Sequence, residues 1–151
     1  MNKLVVVLHD ASSQARINDF IKVVLAFTDK INSVVISKPS GAGAMYGVPE
    51  ASKILYKESI PLVVVPDLKD LRDVFPNKKL VFVTLDEEKS KRIKVLDELG
   101  DPLDKLLIFH GSEGGFSKKE LLEADEVIYP SNLKREVPAE ALLAILLSSS
   151  T

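Results

Sequence analysis

The segment Ile108-Phe109-His110-Gly111-Ser112-Glu113-Gly114-Gly115-Phe116-Ser117 runs a hydrophobic strand into a glycine-bearing loop and then into a helix start. Glycine lets bare backbone N–H groups come close to a ligand, and open α/β folds bind small molecules at such strand-end loops. The loop is therefore the leading candidate for a cofactor site. Within it, Glu113 has two readings: a carboxylate that orients a substrate or faces positive charge, or one that fixes the loop by accepting backbone hydrogen bonds. His9 and His110 fall at predicted strand ends on the same edge, where an imidazole can serve as a base or simply satisfy a local hydrogen bond. Arg16 keeps its charge at any ordinary pH, so it suits holding a phosphate or polarising a target better than taking a proton.

Six short apolar runs must position these residues: Leu4 to Leu8, Ser33 to Ser37, Leu62 to Val65, Leu80 to Thr84, Leu106 to Phe109 and Glu126 to Tyr129. None alternates polar with apolar, which is how strands covered on both faces read, and the stretches between them are helical or polar. The pattern predicts an α/β fold with a mainly parallel sheet flanked by helices. Ile17, Phe20, Ile21, Val24 and Phe27 recur at helical spacing behind Asp10, Ser12 and Ser13, which supply helix-start chemistry. Further helices are expected over Val48 to Tyr56, from Asp67 through Phe75, and from Asp86 towards Leu99 and Gly100. Ser117-Lys118-Lys119-Glu120 matches a capping box. Lys38 to Gly47 holds three glycines at spacings unsuited to a dinucleotide fingerprint and is read as a connection, with Tyr46 able to stack on a base. Lys89, Lys91, Arg92 and Lys94, interleaved with acids, read as a solvated helix face.

At 151 residues with 46% hydrophobic content, the chain suits one domain, residues 1–151, burying roughly 70% of its unfolded surface. Twenty Lys and Arg against 22 Asp and Glu leave a formal charge of −2, so binding to nucleic acid by bulk charge is excluded and any contact must be local. Without cysteine there is no disulfide framework, zinc-thiolate site or thiol nucleophile, and no metal is expected. No apolar stretch reaches membrane-spanning length and the N-terminal one is too short for a signal peptide, so the expected location is the cytoplasm. The final segment, Ala139 to Leu147, is apolar nearly all round and opens on Pro138, which implies deep packing and a homodimer interface.

The glycine loop, the following helix, Val127-Ile128-Tyr129-Pro130 and Val137-Pro138-Ala139 before the last helix resemble, in order and spacing, the SPOUT family of methyltransferases. Those enzymes move a methyl group from S-adenosylmethionine to RNA. Arg16 also falls where the SpoU branch carries an arginine, with Asp10 and Ser12 at its Asn and Gly. The resemblance implies a C-terminal trefoil knot, and S-adenosylmethionine held by Thr84, Leu85, Gly111, Ser112, Glu113, Gly114, Tyr129, Pro130, Val137 and Ala139. It implies tRNA or rRNA as substrate, Arg16 and Glu113 as catalytic candidates, and Arg16, Lys118, Lys119, Lys134 and Arg135 as RNA contacts. Glu136, Val137 and Pro138 replace the Ser-Leu-Asn that opens the last SpoU helix, so ribose methylation is not inherited and the target atom stays open. The alternatives are a SPOUT-like protein that binds without catalysing, and a flavodoxin-like or receiver-like interaction domain.

Overall fold

The computed structural model describes residues 3–150. All six predicted strands form: β1 Leu4–His9, β2 Ile31–Ser37, β3 Leu62–Val65, β4 Lys79–Val83, β6 Lys105–His110 and β7 Glu126–Pro130. A seventh, β5 Lys91–Ile93, stands where a helix was expected. The helices are α1 Gln14–Ala26, α2 Val48–Lys57, α3 Asp70–Val74, α4 Lys118–Leu121 and α5 Ala139–Ser149. The strands make one sheet in the order β3-β2-β1-β6-β4-β7-β5, and every neighbouring pair is parallel.

Because successive strand side chains point to opposite faces, the sheet carries two cores. Leu4, Val6, Leu8, Leu107, Phe109 and Ile128 meet α1, α2 and α5 on one face. Val5, Val7, Val35, Leu106, Ile108 and Phe82 meet Leu71 of α3 and Leu121 of α4 on the other. Helix α1 is held as its spacing predicts, with Ile17, Phe20, Ile21 and Val24 buried and Ser13 accepting from the Arg16 amide. Each such buried side chain contributes about 1.5–3 kcal/mol. Helix α5 packs on α1, β6 and β7, and buries Ala139, Leu142, Leu143, Leu146 and Leu147 within the chain itself. Its C-terminus is closed by Lys30 Nζ, which donates to the carbonyls of Leu147 and Ser150.

Four expectations need correction. The Asp86 carboxylate starts a turn, not a helix: it accepts from the amides of Glu88 and Lys89, while Ser90 bonds the Asp86 amide and the Thr84 carbonyl. The chain then adds to the edge of β7, and Arg92, read as part of a solvated helix face, donates to the carbonyls of Pro130 and Leu133. At Asp67 the carboxylate accepts from the next amide, and the helix begins only at Asp70. The connection over 38–47 is partly helical, a π turn Gly43–Gly47 running straight into α2. Glycine is required there for packing: a Cβ on Gly43 would lie 2.6 Å from the Ala11 carbonyl oxygen, and one on Gly47 2.8 Å from Ile17 Cδ1.

Candidate functional site

Parallel strands send all their C-terminal ends to one edge, so the loops after β4, β6 and β7 are neighbours there by topology. Thr84 and Leu85 leave β4 and are tied to the segment before α5. Glu136 Oε1 accepts from Thr84 Oγ1 at 2.7 Å and from the Leu85 amide. Tyr129 is fully buried at the end of β7, and its phenol donates to the Arg135 carbonyl at 2.7 Å and accepts from the Val137 amide at 3.1 Å. Burial pushes that phenol's pKa up, and the charge of Glu136 acts the same way. One tyrosine and one glutamate thus hold the 131–138 segment against β4 and β7. Leu85 and Val137 lie half-buried beside the core of the α5 face. The side chains of Tyr129 and Ala139 are packed inside, so only their backbone is offered to a ligand.

The glycine loop has a division of labour that spacing did not reveal. Gly111 is buried against the loop after β1, where a Cβ would stand 3.1 Å from Ala11 Cα and from the His9 carbonyl oxygen. Its amide donates to that same oxygen at 2.6 Å. Gly111 is therefore small because β1 and β6 converge, whereas Gly114 and Gly115 have open space around them, Gly115 at φ +67°. Glu113 is exposed, and among the described residues its carboxylate accepts no hydrogen bond, so the loop-fixing role belongs elsewhere. His110 fills it: its Nδ1 lies 3.0 Å from the Ser112 amide nitrogen and 3.1 Å from both the carbonyl oxygen and Oγ of the same residue. Ser117 and Glu120 then make the expected capping box of α4.

Arg16 sits in the first turn of α1, and its Nη1 donates to Glu140 Oε1 at 3.1 Å, with both side chains 21% exposed. The contact joins the first turns of α1 and α5 and uses one of the five guanidinium donors. Lys118, Lys119, Lys134 and Arg135 are all exposed, the first two on α4 and the others in the 131–138 segment.

The two histidines are not free strand-end bases. His9 is fully buried, with Nδ1 2.8 Å from Ser37 Oγ and Nε2 2.6 Å from Glu120 Oε2. Glu120 is a functional candidate that sequence reasoning missed, although the capping box had flagged it for another purpose. Burial pushes its carboxyl up, but hydrogen bonds from the Ser117 amide and His9 outweigh this and hold it below the usual range. His110 Nε2 points towards Asp10 Oδ2 at 3.7 Å. Burial is the main cause of its lowered pKa. Phe116 lies against both imidazoles, with ring centroids 6.1 Å from His9 and 4.7 Å from His110.

A family model described as RecB-family nuclease (DUF2122) matches residues 41–149. A Methanocaldococcus jannaschii protein named "Putative type II restriction enzyme" is 26% identical over 121 residues, 80% of each chain. The fold is that of the SpoU methyltransferases. AviRb from Streptomyces viridochromogenes, solved with the cofactor AdoMet, superposes with TM-score 0.71 at 16% identity, over 98% of this chain and 56% of that one. An AdoMet-bound rRNA methyltransferase from Sinorhizobium meliloti gives TM-score 0.69 at 11% identity, over 97% and 55%. The chain thus spans a little over half the length of these two proteins.

Proposed function

We propose, from the premise that this chain belongs to the DUF2122 family, described as RecB-family nuclease, and has the SpoU methyltransferase fold, that it binds S-adenosylmethionine and methylates RNA, either tRNA or rRNA. The observation that carries the reading is the gathering of three strand-end loops on one edge of a parallel sheet, over β6, β4 and β7, braced by hydrogen bonds within and between them. Such preformed backbone surfaces with apolar walls suit an adenosyl group. Thr84, Leu85, Ser112, Glu113, Gly114, Pro130 and Val137 would hold it, with Tyr129 and Ala139 contributing main chain and Gly111 setting the start of the loop by its packing against Ala11. The cofactor supplies a methyl group on a sulfonium centre, and the protein's task is alignment with the acceptor.

Arg16 is the first candidate for gripping or polarising the acceptor, through the guanidinium donors that Glu140 leaves unused. Exposed Glu113 is the second. Lys118, Lys119, Lys134 and Arg135 are suited to phosphate contact because they flank the cofactor loops. With this reading go a homodimer, in which Ala141, Ala144 and Ile145 of α5 remain half-exposed for a partner, and the trefoil knot that the SPOUT resemblance implies, with α5 threaded through the 111–116 loop. Among the described residues no helix is long and apolar enough to cross a membrane.

The nuclease description of the family favours a second reading, phosphodiester cleavage. Nucleases commonly work through metal ions held by clustered carboxylates. Among the described residues no group of three or more His, Asp or Glu side chains could hold a metal ion, so the residues present do not fit such a centre. The two readings separate in one experiment: incubation with methyl-labelled S-adenosylmethionine and bulk archaeal or bacterial RNA, beside plasmid DNA with magnesium. Label in RNA without DNA cleavage supports the methyltransferase. Cleavage without label supports the nuclease, and cofactor binding with neither supports a non-catalytic binding protein.

A further inference from the structure

A cleft of about 700 Å³ opens at the C-terminal ends of β1 and β2, beside α3 and α4, sharing Ser112 and Gly114 with the cofactor loop as a common wall. Four carboxylates line it, Asp10, Asp67, Glu120 and Glu123, and two of them, Glu120 and Asp10, are each backed by a buried histidine. The chain Ser37 Oγ, His9, Glu120 Oε2 runs from the sheet interior to the cleft and fixes the orientation of the carboxylate at its end. Behind Asp10, the His110 side chain is only 7% exposed and its Nε2 has no hydrogen-bond partner, an uncommon state for a buried polar atom. Phe116 covers both rings, so a ligand meets the carboxylates and not the imidazoles. Lys38, Lys69 and Lys119 line the same cleft. Asp10 and Lys38, at adjoining strand ends, both hold left-handed backbone, φ 61° and 51°, where non-glycine residues are uncommon. Strained neighbours that line one cleft are a recurrent mark of ligand sites.

Anions that accept and cations that neutralise, side by side in a space within the 300–1,000 Å³ of small-molecule sites, match a ligand with N–H donors at one end and negative charge at the other. We propose that this cleft binds a phosphorylated nucleoside, with the N–H donors of its base on Glu120 and Asp10 and its phosphate among Lys38, Lys69 and Lys119. Guanine fits best, because its imino and amino hydrogens lie on one edge and meet a carboxylate together, whereas the single imino hydrogen of uracil is flanked by carbonyls that repel one. The assignment to an acceptor nucleotide of RNA rests on the methyl-transfer reading; the nucleotide site itself does not.

Calorimetric titration with GMP, UMP and inorganic phosphate tests it. GMP is expected to bind at least ten-fold more tightly than UMP. Glu120→Gln keeps the capping box, which glutamine also serves, and should erase the preference between the two bases. Lys38→Asn keeps a residue that tolerates positive φ and should weaken GMP, UMP and phosphate alike, by five-fold or more. A guanosine-containing single-stranded RNA hexamer that binds more tightly than GMP identifies the ligand as RNA; equal binding identifies a free nucleotide. Absence of GMP binding, or a GMP preference that survives Glu120→Gln in the folded variant, overturns the proposal. S-adenosylmethionine titrated separately into the wild type distinguishes the readings: its failure removes methyl transfer and leaves the nucleotide result standing.

Discussion

Gly111→Ala is the substitution whose outcome the geometry specifies most closely. The new Cβ would lie 3.1 Å from Ala11 Cα, 3.1 Å from the His9 carbonyl oxygen and 3.2 Å from Ala11 Cβ. Each contact is a few tenths of an ångström too close, and two of the three partners are backbone with little freedom to retreat. Nor can the loop swing away, because the Gly111 amide is bonded to that same His9 oxygen at 2.6 Å. Overpacking of this kind costs about 1–3 kcal/mol. For a chain near 150 residues this lowers Tm by roughly 2–4 °C per kcal/mol, so a fall of about 2–12 °C is expected in thermal unfolding followed by circular dichroism. Ala11→Gly removes one of the three contacts, so the double variant should recover part of the loss, an interaction that a double-mutant cycle reads directly. The loss should be the same with and without S-adenosylmethionine. Gly111→Ala with wild-type Tm but abolished cofactor binding would refute this reasoning and return the glycine to a ligand-cradling role.

Three more outcomes are expected. Tyr129→Phe strands the Val137 amide and the Arg135 carbonyl, costing about 1–3 kcal/mol in urea unfolding, and it should weaken S-adenosylmethionine binding by loosening the 131–138 segment. His110 has a folded pKa below its ordinary 6.5, so the unfolded chain binds more protons as acid is added. Wild-type stability should therefore be full above pH 6.5 and fall as pH drops below it, and His110→Gln should flatten that limb; an unchanged slope would contradict it. Glu120, held low, acts in a separate window below its ordinary 4.5. Arg16→Ala should cut methyl transfer to RNA at least ten-fold with little change in cofactor affinity, and equal loss of both would contradict its acceptor-side role.

The strands were legible because six runs are apolar on both faces, a pattern that composition alone displays. β5 escaped because it is three residues long, Lys91-Arg92-Ile93, and only Ile93 is buried. Its stability comes from the β7 edge and from the Arg92 bonds to the carbonyls of Pro130 and Leu133, neither of which a local pattern encodes. At the site, the capping box and the Ser13 cap were readable because they are local. The partners of His9 were not, since Ser37 and Glu120 lie 28 and 111 residues away in sequence. The glycines of 111–115 look alike as letters, and only the approach of Ala11 separates the packed one from the open ones.

The central claim, that the loops after β4, β6 and β7 form a S-adenosylmethionine site, is tested most directly by following backbone amide resonances during titration with that cofactor. The account predicts saturable shifts concentrated at residues 84–86, 111–115 and 129–139. No shifts at millimolar cofactor, or shifts confined to residues elsewhere, would contradict it.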